Sequence, residues 1–352
     1  MSHFSQPLDV RVLQSAIKWA ESMPIWLCTV LKTWGSSPRS PGSLLVATQA
    51  GHQEGSLSGG CVEEHFIQQV ANGRWHQASQ VVRYGDGELA PEVTLPCGGV
   101  LEILVEYLPA GNTTIDYLTQ QLNAIQGYQA MRKQVTLPSA CSQLIPDDFA
   151  GTTVAITYQH PNIDIRMAAA ARLLVAGYSP VAHYCMEFGH ALGFEVILLE
   201  PREHVLANIA QLPYGVSLIE TFPAKYLEQH SCHANTAIVS LTHDPRLDDL
   251  TMMEAVNTPA FYIGAMGSQR NSAKRRERLV RIGELNDAQL SRIHAPIGLA
   301  IGSKTPAEIG LAIMADIVRI KNLGHMNAKP AIQSTLNQLA PLTEDNGEHC
   351  AL

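Results

Sequence analysis

The sequence predicts an α/β protein in which a small α+β domain precedes a domain built on a parallel sheet. In the first half, short strand and helix patterns are separated by loops rich in Gly, Ser and Pro. In the second half, short apolar strand patterns alternate with helices, which is typical of βαβ units. A length of 352 residues also exceeds the usual size of one domain, so two domains are expected.

A polar break at His160-Pro161-Asn162 separates the two halves, and we expect the linker between about 159 and 170. The domain prediction is therefore 1–160 for an amino-terminal domain and 170–325 for a carboxy-terminal one. The weakly patterned residues 326–352 are predicted to form a peripheral tail.

Composition narrows the class of protein. Hydrophobic residues make up 46% and charged residues 16%, which is ample for sizeable cores. The net charge of −8 argues against a nucleic-acid partner, and the basic run Lys274-Arg275-Arg276 is expected on a solvated helix face. The sequence shows no apolar run of membrane-spanning length, and its seven scattered cysteines suit a reducing compartment. We therefore expect a soluble, cytoplasmic protein.

The stretch around which the chain is organised is Gly55-Ser56-Leu57-Ser58-Gly59-Gly60-Cys61, followed by a predicted helix over 62–72. Gly59 and Gly60 permit positive φ angles and leave backbone amides uncovered. The amides and dipole of a helix start favour an anion or a thiolate, which would make Cys61 reactive. The alternative is a small thiol packed beside a tight turn.

Two further loops of the first half have the composition of a binding site. Gly35-Ser36-Ser37-Pro38-Arg39 offers hydroxyls, amides and a guanidinium to an anion, although an ordinary hairpin connection has the same composition. Cys97-Gly98-Gly99 mirrors the Gly59-Gly60-Cys61 order. The two cysteine turns are predicted to face a common cleft.

The second half begins with a βαβ unit. A strand over 172–176 is followed by Gly177-x-Ser179, a helix and a second strand that ends at Glu200, 23 positions after Gly177. This resembles a degenerate dinucleotide fingerprint and predicts a Rossmann-like domain. Ser179 would hinder close approach of a pyrophosphate, so two interpretations stay open: a ribose contact at Glu200, or a βαβ unit that binds no dinucleotide.

Polar and glycine residues also follow two later strand patterns, at the edge where open parallel sheets bind ligands. His243 and Asp244 come after the strand over 236–241, and Gly264, Gly267 and Ser268 come at the end of the strand over 259–263. His294 lies in a Pro- and Gly-containing loop before a helix over 306–321. Three such clusters in one sheet predict a cleft.

Taken in order, these stretches resemble the XdhC/CoxI family, the xanthine dehydrogenase accessory factors. The amino-terminal resemblance lies in Gly35-Ser36-Ser37-Pro38-Arg39, the Gly55–Glu63 stretch and Cys97-Gly98-Gly99. The carboxy-terminal resemblance lies in Leu241-Thr242-His243-Asp244, Tyr262–Ser268, His294–Leu299 and Thr305–Ile309. The turn Gly177-Tyr178-Ser179 departs from the family's usual Gly-Ala-Gly, and Ala300 stands where the family often has Asp.

The resemblance implies a factor that binds the molybdenum cofactor, protects it while a separate cysteine desulfurase installs its terminal sulfur ligand, and hands it to an apo molybdenum hydroxylase. It also implies a homodimer. Cys61 is the expected molybdenum-proximal sulfur, with Cys97 as the second candidate, and Ser36, Ser37 and Arg39 are expected phosphate contacts. The remaining cofactor-binding residues that we expect are Gly59, Gly60, Glu63, Gly98, Gly99, Gly177, Ser179, Glu200, His243, Asp244, Gly264, Gly267, Ser268 and His294.

Three rival interpretations remain open at the level of sequence. The main one is an oxidoreductase that binds NAD(P) on the Rossmann-like domain and uses a cysteine or His294 as its acid–base group. A molybdenum-cofactor nucleotidyltransferase is the second, although no carboxylate pair accompanies the Ser-Pro-Arg loop. An adaptor without a ligand is the third. We assign no catalytic residue, because a non-catalytic maturation factor fits the resemblance best.

Overall fold

The computed structural model describes residues 6–34, 39–85, 99–141, 144–148 and 151–326. The helices are α1 (Leu8–Ala20), α2 (Cys61–Ala71), α3 (Asn112–Ile125), α4 (Pro180–Ala191), α5 (Glu203–Leu206), α6 (Pro223–Gln229), α7 (Pro245–Ala255), α8 (Gln269–Arg281), α9 (Asp287–Ser291) and α10 (Pro306–Met326). The strands are β1 (Ile25–Trp34), β2 (Leu44–Thr48), β3 (Gln53–Gly55), β4 (Ser79–Gly85), β5 (Val100–Leu108), β6 (Met131–Thr136), β7 (Ile145–Pro146), β8 (Ala155–Gln159), β9 (Asn162–Arg166), β10 (Arg172–Ala176), β11 (Glu195–Leu199), β12 (Val216–Ile219), β13 (Thr236–Ser240), β14 (Tyr262–Ala265) and β15 (Ile293–His294).

The amino-terminal part is built on a five-stranded antiparallel sheet in the order β3-β2-β1-β5-β4. Its central strand β1 is buried on both faces because its apolar side chains alternate between two cores. Ile25 and Leu27 pack with α1 and α3 on one face, and Trp26 and Cys28 pack with α2 on the other. The sheet is therefore covered on both sides, and its loops carry the predicted site residues.

A second antiparallel sheet, β7-β6-β9-β8, follows α3. This sheet includes residues that were expected in the linker. His160-Pro161 forms the turn of the β8–β9 hairpin, and β9 pairs with both β6 and β8. The polar break is a hairpin turn, and the connection to the next sheet is the short segment 167–171. A polar Pro-containing turn has the same composition in a hairpin as in a linker, so sequence did not separate the two.

The carboxy-terminal part contains a six-stranded parallel sheet in the order β12-β11-β10-β13-β14-β15. This is the doubly wound order of a Rossmann-like domain, and it confirms the predicted fold class. Helices cover both faces. Leu173 and Val175 of β10 face one core, and Leu174 faces the other. The predicted strands and helices of this part are present within a few residues, whereas the helix α7 and the short elements β12, α5, α6, α9 and β15 were not predicted.

The two parts meet at the amino ends of the parallel strands. Ala171, Phe194 and Asn235, which immediately precede β10, β11 and β13, line a cavity together with residues of α1, α3 and the loop before β2. The carboxyl ends of the same strands, where the Rossmann-like clusters lie, are therefore at the far edge of the sheet.

Of the predicted tail, residues 327–352 lie outside the described residues. Among the described helices, none is long and apolar enough to cross a membrane.

Candidate functional site

The loop Gly55–Gly60, which we call the Gly-Ser loop, folds around the carboxylate of Glu63. Backbone amides of Leu57, Ser58 and Gly59 donate to Glu63 Oε1 at 2.7, 2.8 and 3.0 Å. The Gly60 amide donates to Oε2 at 2.9 Å. The hydroxyls of Ser56 and Ser58 donate to Oε1 and Oε2, each at 2.7 Å. Four consecutive amides are thus bound to an anion of the chain itself, and they include those of Gly59 and Gly60, which the sequence predicted to be available to a ligand.

This arrangement fixes Glu63 in its charged form. Burial alone would raise its pKa, but hydrogen bonds from Ser58, Ser56 and Gly59 outweigh burial and hold the pKa far below its ordinary range. Glu63 stands three residues after the helix N-cap Gly60, which is the spacing of a capping box. The carboxylate therefore organises the start of α2, whose first residue is Cys61.

Arg39 connects the Gly-Ser loop to the rest of the amino-terminal part. Its Nε donates to the carbonyl oxygen of Ser56 at 3.2 Å, and its Nη2 lies 3.7 Å from Asp9 Oδ1. Asp9 in turn accepts a hydrogen bond from the amide of Leu44 at 3.1 Å. Arg39 and its neighbours also line the cavity between the two parts of the chain.

The β4–β5 pair ends close to α2. Gly85 ends β4 and pairs with Val100 of β5, and residues 86–98 between them lie outside the described residues. The hydroxyl of Tyr84, next to Gly85, lies 3.4 Å from His65 Nδ1, and position 65 is one helical turn after position 61. Of the other predicted residues here, Gly99 is buried, whereas Ser36, Ser37, Cys97 and Gly98 lie outside the described residues, as does any contact between Cys61 and Cys97.

The first turn of the parallel sheet is closely packed. Gly177 has a φ of +80°, and a Cβ there would lie 2.1 Å from Thr242 Cγ2. The Ser179 hydroxyl accepts a hydrogen bond from the Ala182 amide at 3.1 Å and so caps α4. Gly177 has the left-handed conformation of the first glycine in a dinucleotide fingerprint. Ser179, at the position of the second glycine, instead caps the start of α4.

Glu200 is fully buried and occupied by neighbouring residues. Its Oε2 accepts from the Tyr178 amide at 2.6 Å and from Arg202 Nη2 at 2.7 Å. Its Oε1 accepts from the amide and the Nε of Arg202 at 2.9 and 2.8 Å. Burial raises the pKa of Glu200, but the hydrogen bonds from Arg202 and Tyr178 lower it by more, so the pKa lies below its ordinary value. A carboxylate with four such bonds fastens the turn to β11.

The polar residues after β13 and β14 begin helices. Asp244 accepts from the Arg246 amide at 2.9 Å at the start of α7, and Ser268 accepts from the Asn271 amide at 3.2 Å at the start of α8. Gly264 lies in β14, where a Cβ would contact Ile297 at 2.5 Å. Around Gly267, a Cβ would find ordinary van der Waals distances.

His294 stacks on Tyr262, with ring centroids 4.4 Å apart. Its Nδ1 lies 3.9 Å from Asp316 Oδ2, which accepts a hydrogen bond from the Tyr262 hydroxyl at 2.9 Å. Burial lowers the pKa of His294, against the smaller opposing effect of Asp316. The imidazole is therefore held by a ring face and a shared carboxylate.

An open cavity of about 550 Å³ at the carboxyl edge brings together three predicted residues, Ser179, His243 and Asp244, with Arg202. The other predicted Rossmann-like residues do not line it. The sheet therefore gathers the clusters after β10 and β13 into one recess, and the cluster after β14 lies outside it.

Sequence reasoning missed the ion-pair network beneath this edge. Arg275 donates to Asp248 and Asp249 at 3.0 Å each and to the carbonyl oxygen of Met266. Asp248 also accepts from the hydroxyls of Ser240 and Thr242 at 2.6 Å each. Arg275 was expected on a solvated face and is instead buried, because its carboxylate partners lie on α7, far away in sequence. No motif in the sequence marks the pairing.

Among the described residues, no group of three or more His, Cys, Asp or Glu side chains is placed to hold a metal ion.

Two family models match this chain. A model described as the XdhC and CoxI family matches residues 18–85, and one described as the XdhC Rossmann domain matches residues 173–317. Together they match more than half of the chain, in the order that the sequence motifs predicted. The chain belongs to the XdhC and CoxI family. The predicted resemblance is confirmed.

Individual relatives agree with this family. The chain is 24% identical over 303 residues to the molybdenum cofactor insertion chaperone PaoD of Escherichia coli (strain K12), covering 84% of this chain and 83% of that protein. It is 23% identical over 316 residues to a protein of Bacillus subtilis (strain 168) described as a probable subunit of xanthine dehydrogenase, covering 84% and 92%. A crystal structure described as a xanthine dehydrogenase from Bacillus halodurans superposes with a TM-score of 0.64 at 20% identity over 93% of this chain and 98% of that one, which supports the fold.

Proposed function

We propose that this XdhC/CoxI-family protein is an accessory factor that binds the molybdenum cofactor and delivers it to an apo-enzyme of the xanthine dehydrogenase type. The cofactor is cargo here, and the protein performs no chemistry on it. In the proposal a separate cysteine desulfurase supplies the terminal sulfur ligand while the cofactor is bound, and the factor acts as a homodimer.

The observation that carries the proposal is the Gly-Ser loop wrapped around Glu63 at the start of α2. Six hydrogen bonds to one carboxylate hold the loop in a single conformation, so the first residue of α2, Cys61, has a fixed backbone position. No described atom lies within 4 Å of a Cβ built at Gly60. The helix start is thus held by hydrogen bonds and has no described atom close to it at Gly60, which supports the proposal of a cargo site here.

Different residues are proposed to contact the metal and the phosphate of the cofactor. A thiolate suits molybdenum as a soft ligand, and we propose Cys61 for this role with Cys97 as the second candidate. The Gly59 and Gly60 amides already bind Glu63, so they support the loop rather than a phosphate. Arg39, held at the Ser56 carbonyl, is the cationic residue of this region that we propose for the phosphate, together with Ser36 and Ser37.

The NAD(P)-dependent alternative loses its main structural argument. Both oxygens of Glu200, the residue predicted to contact a ribose, bond to Tyr178 and Arg202. The Ser179 side chain caps α4. Binding a ribose at Glu200 would require the Arg202 pair to break inside a buried site, which is unfavourable. The distinguishing measurement is a fluorescence titration with NADH, for which we expect no saturable binding.

The test of the proposed function is loading followed by transfer. The protein is produced with an intact cofactor pathway and purified without oxygen, and its molybdenum and pterin contents are measured. We expect near-stoichiometric loading and activation of an apo xanthine dehydrogenase. Cys61→Ala should lose both, whereas the matched control Cys232→Ala, in the other part of the chain, should keep both. Equal loading and activation by Cys61→Ala would refute the role of Cys61, and absence of cofactor from the parent protein would refute the function.

A further inference from the structure

A second candidate site lies between the two parts of the chain, at the amino ends of the parallel strands. It is a cavity of about 340 Å³, within the usual range for small-molecule sites. Its lining comes from the loop that carries Arg39, from α3, from Asn235 and from α10. The segment 167–171, which joins the two parts, also lines it. Of the binding residues predicted from sequence, Arg39 lines this cavity.

The cavity contains a cation without a carboxylate partner. Lys321 of α10 lines it, is half-buried and forms no ion pair with any carboxylate in the described ranges. Burial lowers the pKa of Lys321, as expected for an ammonium group taken from water without a partner. Arg39, whose guanidinium lies 3.7 Å from the Asp9 carboxylate, lines the same cavity. Two cationic side chains therefore border one space, which favours an anion there.

The walls also supply hydroxyl groups and unsatisfied amides. Five lining residues carry hydroxyls: Thr29, Ser40, Ser43, Thr152 and Thr153. Three lining residues hold buried polar atoms that find no hydrogen-bond partner among the described residues, namely Thr29 Oγ1, Gln121 Nε2 and Asn235 Oδ1. Their residues are 3%, 1% and 3% exposed. Buried polar atoms normally have partners, so these three residues leave hydrogen-bonding capacity in the lining that no described residue satisfies.

We propose that the interdomain cavity binds a phosphate monoester attached to a flat, hydrogen-bonding heterocycle. The phosphate lies between Lys321 and Arg39 and accepts from the surrounding hydroxyls, because its three oxygens need several donors. The heterocycle lies against the apolar side of the cavity, where Ile165 and Phe194 contribute to the wall, and its edge meets the amides of Gln121 and Asn235.

For its natural ligand this inference rests on the proposed function, because the molybdenum cofactor carries a phosphate on a pterin. Since the amides of the Gly-Ser loop are bound to Glu63, the phosphate needs another seat, and Arg39 both contacts that loop and lines the cavity wall. A free nucleoside monophosphate has the same chemistry and is the other source that the experiment distinguishes.

The first experiment uses guanosine 5′-monophosphate and inorganic phosphate as probes of the ligand-free full chain, by isothermal titration calorimetry. We expect saturable binding of the nucleotide and an affinity about tenfold lower for Lys321→Gln, since one charge-assisted contact is removed. The matched control Lys274→Gln changes an exposed lysine on α8 and should keep the parent affinity. Equal affinities for Lys321→Gln and the parent, or no nucleotide binding by the parent, would overturn the proposal.

A second pair of variants separates binding from folding. Gln121→Leu removes the buried Nε2 donor, which has no described partner, so it should keep or raise the melting temperature while weakening nucleotide binding about tenfold. Ala168→Leu should block the cavity without changing charge. If Gln121→Leu binds the nucleotide as tightly as the parent, the heterocycle does not meet that amide and the proposal fails.

The last comparison distinguishes this inference from the proposed function. If Lys321→Gln also lowers cofactor loading and the nucleotide displaces bound cofactor, the cavity seats the phosphate end of the cargo. If the parent never loads cofactor but its nucleotide binding depends on Lys321, the proposed function fails and the cavity still binds a nucleoside monophosphate.

Discussion

Ser58 donates to both oxygens of Glu63: its backbone amide bonds to Oε1 at 2.8 Å and its hydroxyl to Oε2 at 2.7 Å. This paired contact fastens a loop of small residues to the start of α2. A serine and a carboxylate five residues apart close the loop onto the helix that follows it, and the glycines between them allow the turn.

Replacing Glu63 by Gln should destabilise the protein by at least about 2 kcal/mol. In the parent the loop amides donate to two carboxylate oxygens, whereas the NH2 group of Gln would face some of these amides with donors of its own. Urea unfolding followed by circular dichroism measures the loss. The matched control Glu64→Gln alters the exposed neighbour and should leave the midpoint nearly unchanged. An unchanged midpoint for Glu63→Gln would mean that the loop does not depend on the carboxylate.

Acid should weaken the same region. The folded-state pKa of Glu63 is far below the ordinary 4.5, so the stability it contributes is fully present above about pH 5 and is lost as the pH falls towards the folded-state pKa. Urea midpoints at pH 7 and pH 4 should therefore fall more steeply for the parent than for Glu63→Gln. Parallel pH profiles for the two proteins would contradict this linkage.

Gly177→Ala should be much more harmful than Gly193→Ala, although both glycines have almost the same positive φ, +80° and +82°. At Gly193 no described atom lies within 4 Å of the new Cβ, so only the backbone cost of about 1 kcal/mol applies. At Gly177 the Cβ meets Thr242, which adds about 1–3 kcal/mol of overpacking. Equal melting temperatures for the two variants would show that the turn can relax away from Thr242.

The buried pair of Lys133 and Glu106 should show strong coupling. The two side chains are 2% and 1% exposed, and Glu106 also accepts a hydrogen bond from the Tyr117 hydroxyl at 2.9 Å. Lys133→Met alone should cost about 3–5 kcal/mol, because it leaves a buried charge, and adding Glu106→Leu should recover much of that loss.

A double-mutant cycle by urea unfolding measures this coupling. Arg132→Gln, in the same strand but at a more exposed pair, is the control and should change stability little. Additive losses for the two core substitutions would contradict the expected coupling.

The fold could be predicted largely from the sequence because its signals are local. The strand over 172–176 and the turn at Gly177 lie within a short window, and their apolar run and glycine dictate a βαβ start. The second antiparallel sheet was missed at β9, because a five-residue strand beside a Pro-containing turn has no periodicity that distinguishes it from a linker.

The site was predicted in part, and the omissions have a common physical reason. The position of Glu63 three residues after Gly60 is a capping-box signal that could have revealed its role from sequence. The occupation of Glu200 by Arg202, and the burial of Arg275 against Asp248, depend on side-chain directions and on contacts between distant segments. Sequence spacing carries no information on either.

The two recesses of this chain lie at opposite ends of the same short strands. Five residues of β10 separate Ala171, which lines the interdomain cavity, from Gly177 at the carboxyl edge, a span of about 20 Å. A molecule seated in one recess therefore does not touch a molecule seated in the other. Ligands in the two recesses therefore need not compete for room on a single chain.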